Sequence, residues 1–204
     1  MISLLTCEEE YMKYDFRTGR ELDAALGVDT SLTDTDWSAR RRHPCQPTPL
    51  AALKAVAERL EAGERIVDCG CGTGRAVFYF AAMGFTTVGV ELDARRYAQA
   101  EDNLARCARR APEAAARVRL VHMAAQDYED ADATAYYFFN PFPAAVLRGV
   151  LRRIGAGRVR LFCYYPDDEW VALLLDEGWR LEESVDLRAQ LGRDRRERID
   201  VYSK

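Results

Sequence analysis

The segment Asp68-Cys69-Gly70-Cys71-Gly72-Thr73-Gly74-Arg75 is the densest group of chemically suggestive residues in the chain. Three glycines alternate with other residues directly after the apolar run Ile66-Val67. At a strand-to-helix turn, glycines let the backbone approach a ligand closely and set amides at a helix N-terminus. Glu91 stands 17 residues beyond Gly74, at the end of the next β-branched run. An acid at that place can accept hydrogen bonds from both ribose hydroxyls of a nucleoside. Turn and acid together describe a site for an adenosine-containing cofactor. The dinucleotide fingerprint Gly-x-Gly-x-x-Gly is not met in either register. Its sixth position is Arg75 counted from Gly70 and Val77 counted from Gly72. The plainer alternative is that the glycines only form a tight turn and Glu91 is a solvated strand end.

The elements that must position these residues follow from periodicity. Residues 1–46 are mixed and polar and read as an N-terminal arm or cap with at most one or two short helices. Thr48 and Pro49 make an N-cap and N1 pair, followed by Leu50, Leu53, Val56, Ala57 and Leu60 at helical spacing up to Gly63. Strands are expected at Ile66–Cys69, Thr86–Val90, Val118–Met123, Ala135–Phe139, Arg158–Tyr164, Trp179–Leu187 and Arg198–Tyr202. Helices are expected at 74–83, 94–110, 143–154 and 168–177, with an arginine-rich polar link from Arg188 to Glu197. Alternation of this kind means a parallel sheet covered on both faces, closed by an antiparallel hairpin.

Composition narrows the function classes. The chain has 204 residues, 49% hydrophobic and 30% charged, which suits one globular domain and excludes a disordered or fibrous chain. The net charge of −4 argues against a generic salt-driven nucleic-acid binder. Of 29 basic residues only Lys13, Lys54 and Lys204 are lysine; the rest are arginine. Codon bias is one cause, and the bidentate grip of arginine on carboxylates and phosphates is another. The N-terminal residues lack the pattern of a signal peptide, and no apolar run is long enough to cross a membrane. The six cysteines form no Cys-x-x-Cys pair, and His43 and His122 are the only histidines. We expect free thiols, no metal site and a cytoplasmic location. His122, inside a strand, reads as a core histidine.

Asp68 with Gly70, Gly72 and Gly74 resembles motif I of the class I S-adenosylmethionine (SAM) dependent methyltransferases. Val88-Gly89-Val90-Glu91-Leu92-Asp93 resembles the second motif of that family. The resemblance covers roughly residues 44–204. It implies a three-layer Rossmann-like α/β sandwich with a seven-stranded, mostly parallel sheet in the order 3-2-1-4-5-7-6. The methyltransferase domain would span 47–204, with residues 1–46 as an arm closing over SAM. Asn140-Pro141-Phe142-Pro143 resembles the Asn/Asp-Pro-Pro-aromatic loop of amino-directed methyltransferases, with Phe142 where many members have the second proline. That implies Asn140, Pro141 and Phe142 at the catalytic centre: Asn140 would accept an amine N–H, and Phe142 would stack on a flat substrate or flank an amine. The alternative is that Asn140 caps the next helix and Phe142 packs on the core.

By the same resemblance the cofactor would be held by Asp68, Gly70, Cys71, Gly72, Gly74, Arg75 and Glu91. Gln46 and Thr48 would contact its carboxylate, with Thr48 equally readable as a plain helix cap. Gln126 and Asp127 would contact adenine, with Asp127 as the better candidate or else a helix cap. SAM would be consumed and S-adenosyl-L-homocysteine (SAH) released. The expected acceptor is a nitrogen on a protein or small molecule rather than duplex DNA, and no membrane partner is expected. The oligomeric state would be monomer or homodimer. Three rivals stand beside this reading: an RNA-base amino-methyltransferase, a nucleotide-cofactor oxidoreductase and a non-catalytic SAM-binding module. The arginine clusters Arg40–Arg42 and Arg193–Arg198 could flank the cleft, where Arg40–Arg42 could grip an acidic substrate or protein tail.

Overall fold

The computed structural model describes residues 14–33, 45–155 and 157–204. His43, Pro44 and the Arg40–Arg42 cluster lie outside the described residues. Seven strands form one sheet: β1 (Arg65–Cys69), β2 (Thr86–Glu91), β3 (Val118–His122), β4 (Ala135–Phe139), β5 (Arg160–Tyr164), β6 (Arg180–Asp186) and β7 (Arg198–Ser203). The order is β3-β2-β1-β4-β5-β7-β6, as expected. Strands β1 to β5 run parallel, and β7 pairs antiparallel with both β5 and β6. The helices are α1 (Gly19–Leu26), α2 (Leu50–Ala57), α3 (Arg75–Ala82), α4 (Ala94–Arg110), α5 (Pro112–Ala115), α6 (Ala144–Leu151), α7 (Asp168–Asp176) and α8 (Arg188–Leu191).

The central strands are buried on both faces because helices cover both. Successive side chains point to opposite sides of a strand. Ile66 and Tyr137 therefore join one core with Val56, Phe78 and Phe80. Val67 and Phe138 join the other with Val88, Leu147 and Trp170. Strand β6 is the opposite case. It is an edge strand exposed along almost its whole length and carries Arg180, Glu182, Glu183 and Asp186, charges that discourage edge pairing.

Local chemistry sets most helix ends. Asp93 caps α4 by accepting from the amides of Arg95 (3.0 Å) and Arg96 (3.1 Å). Asp167 caps α7 by accepting from the Trp170 amide at 2.8 Å. Two expected caps are absent. Pro49, not Thr48, is the N-cap of α2, and Pro49 O accepts from the amides of Ala52 and Leu53. Pro143, not Asn140, is the N-cap of α6, which starts at Ala144 and ends at Leu151, short of the expected 154. In both, proline already fixes φ near the helical value, so no side-chain cap is required to set the entry. The link after β6 is not wholly irregular, since α8 forms within it.

The N-terminal arm packs on the sheet domain. Leu22 and Leu26 of α1 are fully buried in the same core as Ile66 and Phe78. Asn103, fully buried on α4, holds the following segment. Its Oδ1 accepts from the Asp29 amide at 2.9 Å, and its Nδ2 donates to Asp29 O (2.8 Å) and Thr73 O (3.0 Å). One side chain thus joins the arm to the glycine turn. We expect Asn103→Ala to leave these backbone groups unsatisfied and to cost about 1–3 kcal/mol. A lower urea midpoint with an unchanged slope is the expected result; an unchanged midpoint would mean that water replaces the amide.

Candidate active site

The chain moves from β1 to β2 and β3 on one side of the sheet, then to β4 and β5 on the other. The switch point is between β1 and β4, where open α/β sheets bind ligands at the strands' carboxyl ends. A cleft of about 720 Å³ opens there, within the usual span for small-molecule sites. Asp68, Gly70, Cys71, Gly72, Arg75, Glu91, Gln46, Thr48, Gln126, Asn140, Pro141 and Phe142 all line it. Gly74 does not; it is the N-cap of α3, with φ 95°.

The glycine turn hangs on the end of β2. The amides of Gly70 (2.8 Å) and Cys71 (3.1 Å) both donate to Val90 O. The Gly72 amide donates to Glu91 Oε2 at 2.9 Å, and the Gly74 amide to Cys71 O at 2.9 Å. Four amides that would otherwise be free to hold a phosphate are therefore engaged within the protein. This arrangement disfavours a pyrophosphate and suits a cofactor without one. Glu91 is further fixed by the Asp93 amide, which donates to Oε1 at 2.7 Å. Each of its oxygens retains a lone pair for a ligand hydroxyl.

Asp68 is 6% exposed, and among the described residues no group donates a hydrogen bond to its carboxylate. Burial, and secondarily the nearby Glu91, push its carboxyl up to about 8. A carboxylate left so uncompensated in a cleft is a site for a cation.

Other positions differ from expectation. Arg75 lines the cleft, yet its head is engaged with the arm: Nε donates to Thr30 Oγ1 at 2.7 Å and Nη2 lies 3.7 Å from Asp23. Thr48 is buried and accepts from the Tyr137 hydroxyl at 3.3 Å, which ties the segment before α2 to β4. Asp127 is exposed and outside the cleft lining, inside a 3₁₀ turn rather than capping one. Gln126, its neighbour, faces the cleft. Gly149 makes that possible: a Cβ there would meet Gln126 Cβ at 2.7 Å, so only glycine lets α6 approach this turn. Sequence reading missed Gly149 and Asn103, since both act through contacts distant in the chain. His122 is exposed, not in the core; β3 is an edge strand, and the ring stacks on Tyr97 at 4.8 Å.

The loop after β4 divides its roles. Phe142 is 7% exposed, and its ring packs on Phe138 and Trp170. Its carbonyl accepts from Trp170 Nε1 at 3.0 Å. Phe142 therefore braces the loop from behind rather than presenting a free stacking face. Asn140 holds φ 38°, a left-handed conformation that asparagine tolerates better than most residues. Its Oδ1 is buried and has no hydrogen-bond partner. No group of three His, Cys, Asp or Glu among the described residues could hold a metal. No helix among the described residues is long and apolar enough to cross a membrane.

Residues 66–155 match the family model described as a methyltransferase domain. The solved structure of the glycopeptide N-methyltransferase MtfA with sinefungin is similar, with a TM-score of 0.61 and 15% identity over 91% of this chain and 96% of that one. An RNA methyltransferase from Salinibacter ruber, solved with SAH, gives a TM-score of 0.56 at 20% identity, covering 77% of this chain and 91% of that one. A TehB-like SAM-dependent methyltransferase from Corynebacterium glutamicum gives 0.53 at 16% identity, covering 75% and 86%. No curated protein matches the chain in sequence. The matched segment and the strand order give this chain the Rossmann-like fold of the SAM-dependent methyltransferases that it resembles.

The Asp68 carboxyl gives a test of the free cleft. Its folded-state value, about 8, lies above the ordinary 3.8. Between those values the folded chain holds a proton that the unfolded chain releases, so stability falls as pH rises through that window. Chemical denaturation of the ligand-free protein at about pH 5 and about pH 8.5 checks this. The loss of stability between the two should be smaller in Asp68→Asn; an equal loss would mean that Asp68 is ionised throughout.

Proposed function

We propose that the protein transfers a methyl group from SAM to a nitrogen nucleophile on a small molecule or protein. The single observation that carries the nitrogen reading is the buried, unpartnered Oδ1 of Asn140 on a left-handed backbone at the cleft. A buried acceptor without a partner is costly, and it persists where a ligand supplies the donor. An amine N–H is such a donor.

The residues present fit the cofactor. Asp68 would hold the ammonium of its methionine part, with Gln46 and Thr48 near the carboxylate. Glu91 would take the ribose hydroxyls. Gln126, rather than the exposed Asp127, would meet the adenine edge. Gly70, Cys71 and Gly72 would shape the floor and Gly74 the turn into α3 behind it, while Arg75 would fix the arm whose Thr30 and Leu32 also line the cleft. When bound, SAM supplies a sulfonium methyl that a nitrogen lone pair can take, the C–S electron pair returning to sulfur and leaving SAH. Asn140 would orient the nitrogen by accepting its N–H. Pro141 would keep the loop rigid, and Phe142 would hold it against the core. No residue of the cleft needs to act as a dedicated base if the amine arrives neutral, so positioning would be the main contribution of the chain.

The reading is tested with tritiated SAM and a host lysate separated into small molecules, protein and RNA. Label in the small-molecule or protein fraction is expected; label confined to RNA would replace the acceptor assigned here. With the labelled acceptor in hand, Asn140→Ala should lower the turnover number by about 10²-fold while SAH affinity stays within about twofold. Unchanged turnover would remove Asn140 from the chemistry. Binding of SAM with no labelled acceptor in any fraction would favour a SAM-binding module without transfer.

A further inference from the structure

The side of the cleft built by β4, β5 and β7 has a chemistry of its own. Three rings line it: Phe139, Tyr164 and Tyr165. Their centroids lie 4.6 Å apart for Phe139–Tyr164, 6.0 Å for Tyr164–Tyr165 and 6.3 Å for Phe139–Tyr165. Tyr165 holds φ 56°. A bulky residue in the left-handed region is a genuine outlier, and such strain persists where the surroundings impose it. Here the Tyr165 hydroxyl donates to Asp194 Oδ2 at 2.7 Å, and the Tyr165 amide donates to Arg198 O at 3.1 Å.

The charges on this wall do not cancel. Arg195, Arg196 and Arg198 of the terminal cluster are each engaged by an aspartate. Arg195 pairs with Asp168 at 2.6 Å, Arg196 with Asp194 at 2.7 Å and Arg198 with Asp200 at 2.9 Å. The Arg196 guanidinium also lies over the Tyr165 ring at 4.4 Å, and it senses Asp167 more weakly than Asp194. Arg193 is exposed and does not line the cleft. Two cleft-lining carboxylates remain, Asp167 and Glu197, with no ion-pair partner among the described residues. Their hydrogen bonds come from neutral donors: the Trp170 amide for Asp167 (2.8 Å) and the Tyr164 hydroxyl for Glu197 (2.6 Å). Arg196 also lines the cleft, but its charge is shared with Asp194 and it covers only Tyr165. The pull on a further cation therefore comes from Asp167 and Glu197 beside the partly exposed Phe139 ring. The buried, unpartnered Asn140 Oδ1 opens on the same cavity and independently calls for a donor.

We propose that this wall is the acceptor subsite and that it selects a small molecule bearing an alkylammonium group, which binds protonated and gives up one proton to solvent before its neutral nitrogen takes the methyl. The inference rests on the methyltransferase reading of the same cleft and names the acceptor class within it. The cleft of about 720 Å³ must also take the cofactor, so the part left beside Asp167 and Glu197 suits a small cationic group.

The test uses the full chain saturated with SAH and three probes of matched shape: 4-phenylbutylamine, 4-phenylbutanol and 4-phenylbutyrate. Isothermal titration should give the amine about tenfold tighter binding than the alcohol, with the butyrate weakest. The double variant Asp167→Asn with Glu197→Gln keeps the helix cap and the acceptor for Tyr164, so it should fold. In it the preference for the amine should fall to about twofold or less. Butyrate binding as tightly as the amine, equal binding of all three, or no binding of any overturns the proposal. So does an amine preference that survives in the double variant. Saturation with SAH is measured first: failure there overturns the methyltransferase reading itself, whereas SAH binding without amine selectivity overturns only the acceptor class.

Discussion

The approach of Pro141 to Gly70 is the contact on which the cleft depends. A Cβ built at Gly70 would lie 2.6 Å from Pro141 Cβ, and the Gly70 backbone has φ 85°. Both facts demand glycine. The turn after β1 and the loop after β4 can therefore touch, and the touch places Asp68 and Asn140 on one cavity. Strand pairing alone would not achieve this, because Asp68 faces Tyr137 in the β1–β4 ladder and the loop leaves the sheet beyond Phe139. From this contact outward the support is layered. Val90 O and Glu91 hold the turn from β2. Trp170 and Phe138 hold the loop from the opposite core.

The arginine excess finds a physical use in several places. Arg75 anchors the arm through Thr30 and Asp23, Arg65 pairs with Asp130 at 2.8 Å, and Arg59, just past the end of α2, meets Glu183 on β6. These pairs are partly exposed, so each contributes little to stability alone. Their geometric value is larger. Arg59 meets Glu183 through both Nε and Nη2, a fork that lysine could not reproduce. The charge was expected to grip acidic groups, and it does so mainly within the protein. With Asp168, Asp194 and Asp200 paired to Arg195, Arg196 and Arg198, Asp167 and Glu197 are left as acids of the cleft wall without an ion-pair partner among the described residues.

Much of this architecture was legible in the sequence. The turn after β1 and Glu91 at the end of β2 could be read because they depend on glycine and acid at fixed offsets, whereas the strand order followed only from the family resemblance that those residues carry. The bounds of β4 and α4 coincide with those expected, since their patterns are long or sharply ended. The errors share one cause. The cap reading of Thr48 and the core reading of His122 rest on neighbours in sequence, while their surroundings, like those of Phe142, come from across the fold. Thr48 meets Tyr137, 89 positions away, and the Phe142 carbonyl meets Trp170, 28 positions away. His122 is exposed because the sheet ends at β3, a fact of topology that no single strand carries. Asn103 was hidden for the same reason. A polar residue inside an amphipathic helix reads as surface until the arm is folded over it.

The two ends of the cleft are best understood together. Asp68 and Glu91 make the cofactor end acidic, and Asp167 and Glu197 do the same for the opposite wall. Methyl transfer to an amine moves positive charge from sulfur toward nitrogen. On the proposed reading, that charge moves away from the first pair of carboxylates and toward the second. Groups that meet charge only as it develops favour the transition state over the bound substrates. On that reading Asp167 and Glu197 need not touch the nitrogen to contribute, since charges across a protein-lined cleft are less screened than in bulk water. An acceptor that reacted through an anionic oxygen would gain nothing from this wall and would be repelled by it on entry. On the proposed reading, the same electrostatics that select the acceptor also favour its product, because Arg195, Arg196 and Arg198 are held by Asp168, Asp194 and Asp200 instead of by Asp167 and Glu197.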